Sequence, residues 1–384
     1  MDRGSPSRLQ QLIDNGKDRT MTLGRRTLGR ALLARQWLLE RADATVEEAV
    51  ARLVGMQAQA PYAPYFGLWS RIRPFRTADL ADALTDRRLV RVALMRSTVH
   101  LVTVADYRAL RPWSQDALDR ELDTAFKDPL AGVDRAAVAE SGRALLRARP
   151  LTPKELRAAL HEQWPDREPH ALATVVRNLV PLVQVPPRAV WGIGGTTRYA
   201  AAAEWTGTEP ASAADAEQIV LRYLAAFGPA SAADVQTWAG RTRLRPVLES
   251  LRPRLAVFRD EGGTELFDLP DAPRPAVDIP APVRFLPEYD NLLASHADRT
   301  RVISAEDRKR VMTGNGMRAT FLVDGQVTGV WKLRQDKTSA TLEIEPFRPL
   351  TAAERAEVET EGSLLLKFAA PGADHDIRGI TPRT

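Results

Sequence analysis

The side chains that could do chemistry fall into three short stretches. Gln57 and Gln59 flank Ala58 just ahead of Pro61 and Pro64. By residue type alone this is a helix C-terminus near Gln59 whose amides cap backbone carbonyls, since the prolines cannot continue a helix. Side chains at such an end can also project into a groove. Arg96, Ser97 and His100 interrupt an apolar, β-branched run, and strand alternation places Arg96 and His100 on one face with Thr98 between them. They suit phosphate binding, and equally a wing that packs on the core with a solvated edge. The third stretch, Ser295 to Arg301, holds His296, Arg299 and Arg301 in a polar, basic loop after an apolar strand, which is where function tends to sit.

Much chemistry is excluded. The 384 residues contain no cysteine, so disulfides, zinc–thiolate sites, iron–sulfur clusters and thiol nucleophiles are out. The five histidines, His100, His161, His170, His296 and His375, form no HxxxH or HExxH spacing that would put two ligands on one helix face. No cofactor and no metal site is expected. The first twenty residues lack the apolar core of a secretory signal and no long apolar run occurs, which makes cytoplasm the default and membrane residence unexpected. Residues 1–24 read as a disordered or vector-derived leader, with Met21 a possible natural start. The net charge of +5 is carried almost wholly by arginine, whose planar fork suits phosphates and base edges. A GC-rich genome explains that bias equally well.

These residues need elements to hold them. Apolar spacing predicts a helix over 26–40, and Thr45 with Glu48 forms a capping box that opens a second helix to Leu53. Short helices over 64–73 and 77–88 follow, the latter capped by Thr77, and then a β-hairpin over 89–104. Helix, helix, hairpin is the order of a winged helix-turn-helix. The order recurs with helices over 135–147, 152–163 and 169–180 and a hairpin turning at Gly192, Gly194 and Gly195. It recurs again with helices over 214–227, 233–239 and 244–251 and a hairpin turning at Gly262-Gly263. The predicted organisation is α+β: units over 25–130, 131–208 and 209–275, then a β-rich portion over 276–384 with paired strands around Asp324-Gly325. A closing helix opens at Thr351 and Glu354. Trp69, Trp113, Trp191, Trp205, Trp238 and Trp331 can stack on an extruded base, though most are better placed as core anchors.

Four motifs in this order, GMQAQAPYAP (55–64), LMRSTVHLVTVADY (94–107), GPASAADVQTWAG (228–240) and LPEYDNLLASHADRTR (286–301), carry a resemblance. From about Met21 onward the chain resembles the bacterial winged-helix DNA glycosylases that unhook interstrand crosslinks, above all the azinomycin-resistance branch of Streptomyces. The resemblance implies three tandem winged helix-turn-helix units closed by a C-terminal β-barrel-like domain. It further implies a C-shaped whole with a basic channel for duplex DNA, and Gln57 and Gln59 as the catalytic pair. Relatives with a broader repair role carry aspartate at the second position; Gln59 places this chain with the self-resistance branch.

Two neutral amides suffice only for a particular substrate. A normal base needs a general acid to leave, and glutamine cannot serve as one. An N7-alkylated purine already carries a positive charge and departs neutral, so only a positioned water at the anomeric carbon is required. The expected activity is monofunctional excision of bulky N7-alkylpurines and crosslinks from duplex DNA by a monomeric, nucleoid-associated protein that confers resistance to an alkylating antibiotic. Arg96, Ser97, His100, His296, Arg299 and Arg301 are the expected DNA contacts. The alternatives are a non-catalytic winged-helix regulator, which would need no glutamine pair, and a general glycosylase for small N7-methylpurines.

Overall fold

The computed structural model describes residues 21–314 and 316–380. Strand β1 (Thr22–Leu23) leads into α1 (Arg25–Arg35), which stops short of the predicted Glu40 because Trp37 turns into the left-handed region at φ 57°. Then come α2 (Val46–Arg52), β2 (Met56–Gln57), α3 (Ala63–Trp69), α4 (Thr77–Thr85), β3 (Leu89–Ala93), β4 (Val99–Thr103) and α5 (Val104–Thr124). The Thr45 and Glu48 box forms in both directions at the start of α2. At α4 the cap moves back one place, since Asp79 bonds the Arg76 amide. Sequence reading missed α5 altogether, because Pro112 lies inside it; the helix persists by burying Tyr107, Leu110, Trp113, Ser114, Ala117, Leu118 and Leu122 at three- and four-residue spacing.

The next stretch holds α6 (Arg135–Ala148), α7 (Pro153–Gln163), α8 (Pro169–Leu179), β5 (Leu182–Gln184), β6 (Tyr199–Ala201) and α9 (Ala202–Thr206). A third stretch holds α10 (Ala216–Phe227), α11 (Ala232–Ala239), α12 (Arg245–Leu251), β7 (Ala256–Asp260) and β8 (Glu265–Asp268). Hairpins close each stretch as expected, and the first two share a sheet. Val92 of β3 pairs with Val183 of β5, which fuses the first two hairpins into one sheet of order β2-β4-β3-β5-β6. The third hairpin takes β1 as a parallel neighbour, Thr22 opposite Arg259 and Leu23 opposite Asp260. The predicted leader therefore gives up residues 22 and 23 to a sheet, and its residues 1–20 lie outside the described residues.

The last portion contains β9 (Arg284–Leu286), α13 (Asn291–Ala294), α14 (Ala305–Val311), β10 (Met312–Thr313), β11 (Gly316–Met317), β12 (Thr320–Val323), β13 (Gln326–Gln335), β14 (Ser339–Pro346), α15 (Ala352–Ala369) and β15 (Asp374–Arg378). Asp324 and Gly325, at φ 48° and 77°, make the expected tight turn between β12 and β13. The expected barrel does not close. The order β15-β14-β13-β12-β9 leaves two unjoined edges, and the unpredicted β15 adds parallel to β14, so the sheet is open. Helix α15 covers one face through Val358, Leu365 and Leu366.

One apolar core ties distant parts together. Leu32 of α1, Val92 of β3, Trp113 of α5, Tyr223 and Phe227 of α10, Trp238 of α11 and Leu286 of β9 belong to a single buried cluster. The 131–208 stretch keeps its own cluster around Leu146, Leu156, Leu172 and Val175. Among the described residues no helix is long and apolar enough to cross a membrane.

Candidate active site

The glutamine pair lies at the end of an edge strand, not at the predicted helix end. Helix α2 stops at Arg52, and the backbone reverses through Val54 (φ 52°) and Gly55 (φ 91°). Met56 and Gln57 then pair antiparallel with Leu101 and His100 of β4, and the Ala58 amide donates to the Val99 carbonyl at 2.7 Å. Gly55 is required here twice over: its φ suits glycine, and a Cβ would sit 2.7 Å from Val102 Cγ1. Gln57 is the last residue of β2 and Gln59 stands in the bend just after it, so the two side chains meet across Ala58. Ala58 points into the core at 0% exposure, while Gln57, at 9%, and the exposed Gln59 emerge together on the other side.

The two amides are joined. Gln57 Nε2 donates to Gln59 Oε1 at 2.9 Å, and Arg96 Nη2 donates to Gln57 Oε1 at 3.0 Å. Arg96 also donates through Nη1 to the Trp238 carbonyl in the last turn of α11. The predicted alternation with His100 does not hold, because Arg96 is not on a strand. Met95–Ser97 form a 3₁₀ turn between β3 and β4, with Arg96 and Ser97 both left-handed at φ 56° and 59°. Burial and the neighbouring Arg299 push the Arg96 guanidinium down to about 10. Its charge persists at neutral pH.

The remaining predicted residues divide sharply. Ser97 Oγ donates to Glu121 of α5, which also accepts from Arg177 and Asn178 of α8, so this hydroxyl is spent on joining helices. His100 is buried; its Nδ1 bonds the Thr98 carbonyl at 2.9 Å, and burial, with help from Arg96, lowers its pKa to about 3. His296 is 1% exposed, its Nε2 facing the Phe227 carbonyl at 3.0 Å and its ring lying against Tyr223 and Phe227. Arg301 is buried too, donating to the Pro229 carbonyl at 2.8 Å beside Asp234. These three side chains point inward, whereas a phosphate contact needs a donor at the surface. Only Arg299 of the second group remains partly exposed, its Nε bonded to the His296 carbonyl at 3.1 Å; burial and the exposed Arg308 beside it lower its pKa. The tryptophans are anchors: Trp113, Trp238 and Trp331 are buried, and Trp69 stacks on Phe368.

Sequence reading missed three supports of the pair. Arg91, buried on β3, donates to the Ala58 carbonyl at 2.6 Å, directly behind the glutamines. Asn291 holds the Gly55 carbonyl at 2.7 Å and the Leu53 carbonyl at 3.3 Å. Asp290 accepts both arms of Arg71 at 2.7 and 2.9 Å, with both side chains essentially out of water. The only available signal was indirect: polar residues embedded in apolar runs at 91 and 290–291 demand buried partners.

Comparisons with known proteins bear on the family and the fold. The family model for DNA glycosylase AlkZ-like proteins matches residues 50–368, from the helix before the glutamine pair to the end of the last helix. No curated protein matches the chain. Among solved structures, the Streptomyces sahachiroi DNA glycosylase AlkZ is similar in fold, with a TM-score of 0.77 over 93% of this chain and 100% of that one at 18% identity. With the family model covering most of its length, the chain belongs to the AlkZ-like DNA glycosylase family.

Proposed function

We propose that this glycosylase hydrolyses the N-glycosidic bond of N7-alkylated purines, bulky adducts and interstrand crosslinks included, and that Gln57 and Gln59 carry the chemistry. One observation carries the reading: among the described residues, the hydrogen-bond partners of the two side chains are each other and Arg96, with no carboxylate or amine among them. Without an acid the base must leave by its own charge, which selects cationic lesions. With no lysine amine among these partners to form a Schiff base, the proposed reaction stops at base release. Gln59, exposed at the end of the relay, presents its carbonyl oxygen to a water, and the second N–H of Gln57 is free to hold the same water in line with the anomeric carbon.

The order of helices and hairpins supports three tandem winged helix-turn-helix units clasping duplex DNA as a monomer, and the exposure of Gln59 suits a nucleotide that a crosslink prevents from swinging out. Arg299, beside Arg96 and Arg308, is the candidate for the phosphates at the lesion. A glutamine at position 59 favours self-resistance to a DNA-alkylating antibiotic. The test is single-turnover base release from a duplex bearing one N7-alkylguanine, with small and bulky adducts, for wild type, Gln57→Ala and Gln59→Ala at matched DNA occupancy. Loss of release with retained binding supports the reading. Release of uracil or unmodified guanine, or no release of any adduct by wild type, overturns it; the latter leaves a DNA-binding regulator.

A further inference from the structure

The Arg96 guanidinium does more than neighbour the pair. An arginine side chain has donors and no acceptor, so the atom of Gln57 that meets Nη2 must be Oε1. Gln57 Nε2 is thereby turned toward Gln59, and since it donates, the atom it meets must be the Gln59 oxygen. One fixed cation thus sets the orientation of two amides that would each otherwise be free to flip by 180°. It also polarises them in series, because each donated hydrogen bond strengthens the next in a partly desolvated site.

The chain supports Arg96 from several sides. Its turn is closed by the Leu94 amide on the Thr98 carbonyl and the Ser97 amide on the Leu94 carbonyl, each at 3.0 Å. Ser97 is tied to Glu121. The Trp238 carbonyl takes the other arm of the fork. Gly240, left-handed at φ 66°, lies so close that a Cβ there would be 3.0 Å from Arg96 Cγ. Two consecutive non-glycine residues with positive φ are sparsely populated, and they persist only where the surroundings over-determine them. A residue whose purpose was to meet phosphate would leave its fork open to the surface; this one spends an arm on each of two protein oxygens.

We propose that Arg96 is a positioning residue for base excision: it orients and polarises the glutamine pair through Gln57, and is not a DNA contact. The inference rests on the glycosylase reading above. If Arg96 acts through Gln57, its loss adds nothing once Gln57 is gone.

The experiment is a double-mutant cycle with Arg96→Ala, Gln57→Ala and the pair together. It measures single-turnover release of an N7-alkylguanine, DNA affinity across a salt series, and thermal unfolding. Arg96→Ala is expected to slow release on the order of 100-fold, as for a reacting group misplaced by about 1 Å, at unchanged affinity and salt slope. The double variant should be no slower than Gln57→Ala, and methylguanidinium should restore part of the rate to Arg96→Ala while leaving Gln57→Ala unaffected. Arg96→Lys, which keeps the charge but not the fork, serves if the alanine variant does not fold, and should be slow at normal affinity. Weakened binding with a shallower salt slope would make Arg96 a phosphate contact and overturn the proposal, as would multiplicative losses in the cycle or a wild-type rate in Arg96→Lys. Failure of the wild type to release any base sinks the glycosylase reading itself, and so is distinguishable from failure of this one.

Discussion

Removing the carboxylate of Asp290 should damage the protein far more than its position in a loop suggests. Its two oxygens accept both arms of Arg71, whose side chain is 0% exposed, and Oδ1 also accepts the Leu292 amide at 2.9 Å as the cap of α13. Arg71 has one further side-chain partner, Gln36 Oε1 at 3.0 Å, which is neutral. Asp290→Asn keeps a capping oxygen but strands a buried guanidinium, and breaking a buried pair in this way costs about 3–5 kcal/mol. Asp290→Ala loses the cap as well, adding about 1 kcal/mol. Because attraction within a buried pair largely offsets its desolvation, replacing both partners should be milder: Arg71→Met with Asp290→Leu is expected to recover more than half of the loss. Equilibrium urea unfolding of the four proteins tests this, and base release reports whether the adjacent Asn291 still holds the Gly55 carbonyl. A cost below about 1 kcal/mol for Asp290→Asn, well under the cost of an unpaired buried charge, would refute the reasoning. So would a double variant no better than the single.

Acid should weaken the fold through its histidines. His100 and His296 are each held near about 3, chiefly by burial and secondarily by Arg96 and Arg301 respectively, against 6.5 unfolded. Between those values only the unfolded chain binds the protons, so this stability is complete above pH about 6.5 and is lost as pH falls toward 3. Urea midpoints should drop from pH 7.5 to 5, and less so in His296→Phe; a midpoint that rises on acidification contradicts the assignment. Base release at saturating enzyme should show no limb near pH 6.5, because His100 stays neutral; an inflection there would bring that imidazole into the chemistry. Gly55→Ala forces a Cβ to 2.7 Å from Val102 at a φ of 91°, so it should lower stability by about 1–3 kcal/mol and slow release more than it weakens DNA binding. Normal release would show that the turn into β2 does not set the pair.

Local chemistry was the legible part of this fold. Thr45 with Glu48 and Thr351 with Glu354 open helices in both halves of their capping boxes, and Asp324-Gly325 makes the expected tight turn. What escaped depends on partners far along the chain. Helix α5 overrides Pro112 because tertiary burial outweighs one lost backbone bond. Strand β2 is two residues long and exists only because β4 passes beside it. The fused sheet and the open C-terminal sheet turn on single pairings, Val92 with Val183 and β14 with β15, that no local pattern announces. At the candidate site the residue types were readable, but not their burial: His100, His296 and Arg301 look like phosphate ligands in one dimension and are core in three.

The same long-range pairings account for how a neutral pair can be made effective. Two unrestrained glutamines at a strand end would each sample several rotamers, and on the proposed mechanism a water between them would be as disordered as bulk water. Here the strand is fixed by β4 and by Asn291 from the last portion, its apolar middle residue is buried and its carbonyl is held by Arg91. The amides themselves are oriented by an arginine that the end of α11 holds in place. Groups from three separate parts of the chain thus restrict the freedom of the two glutamine side chains. On the proposed mechanism, the entropy lost in ordering the two side chains is met during folding and not at each turnover. A carboxylate at position 59 would stabilise a cationic sugar more strongly on its own. A pair of amides depends on its surroundings, and the density of hydrogen bonds behind these two residues is what such dependence requires.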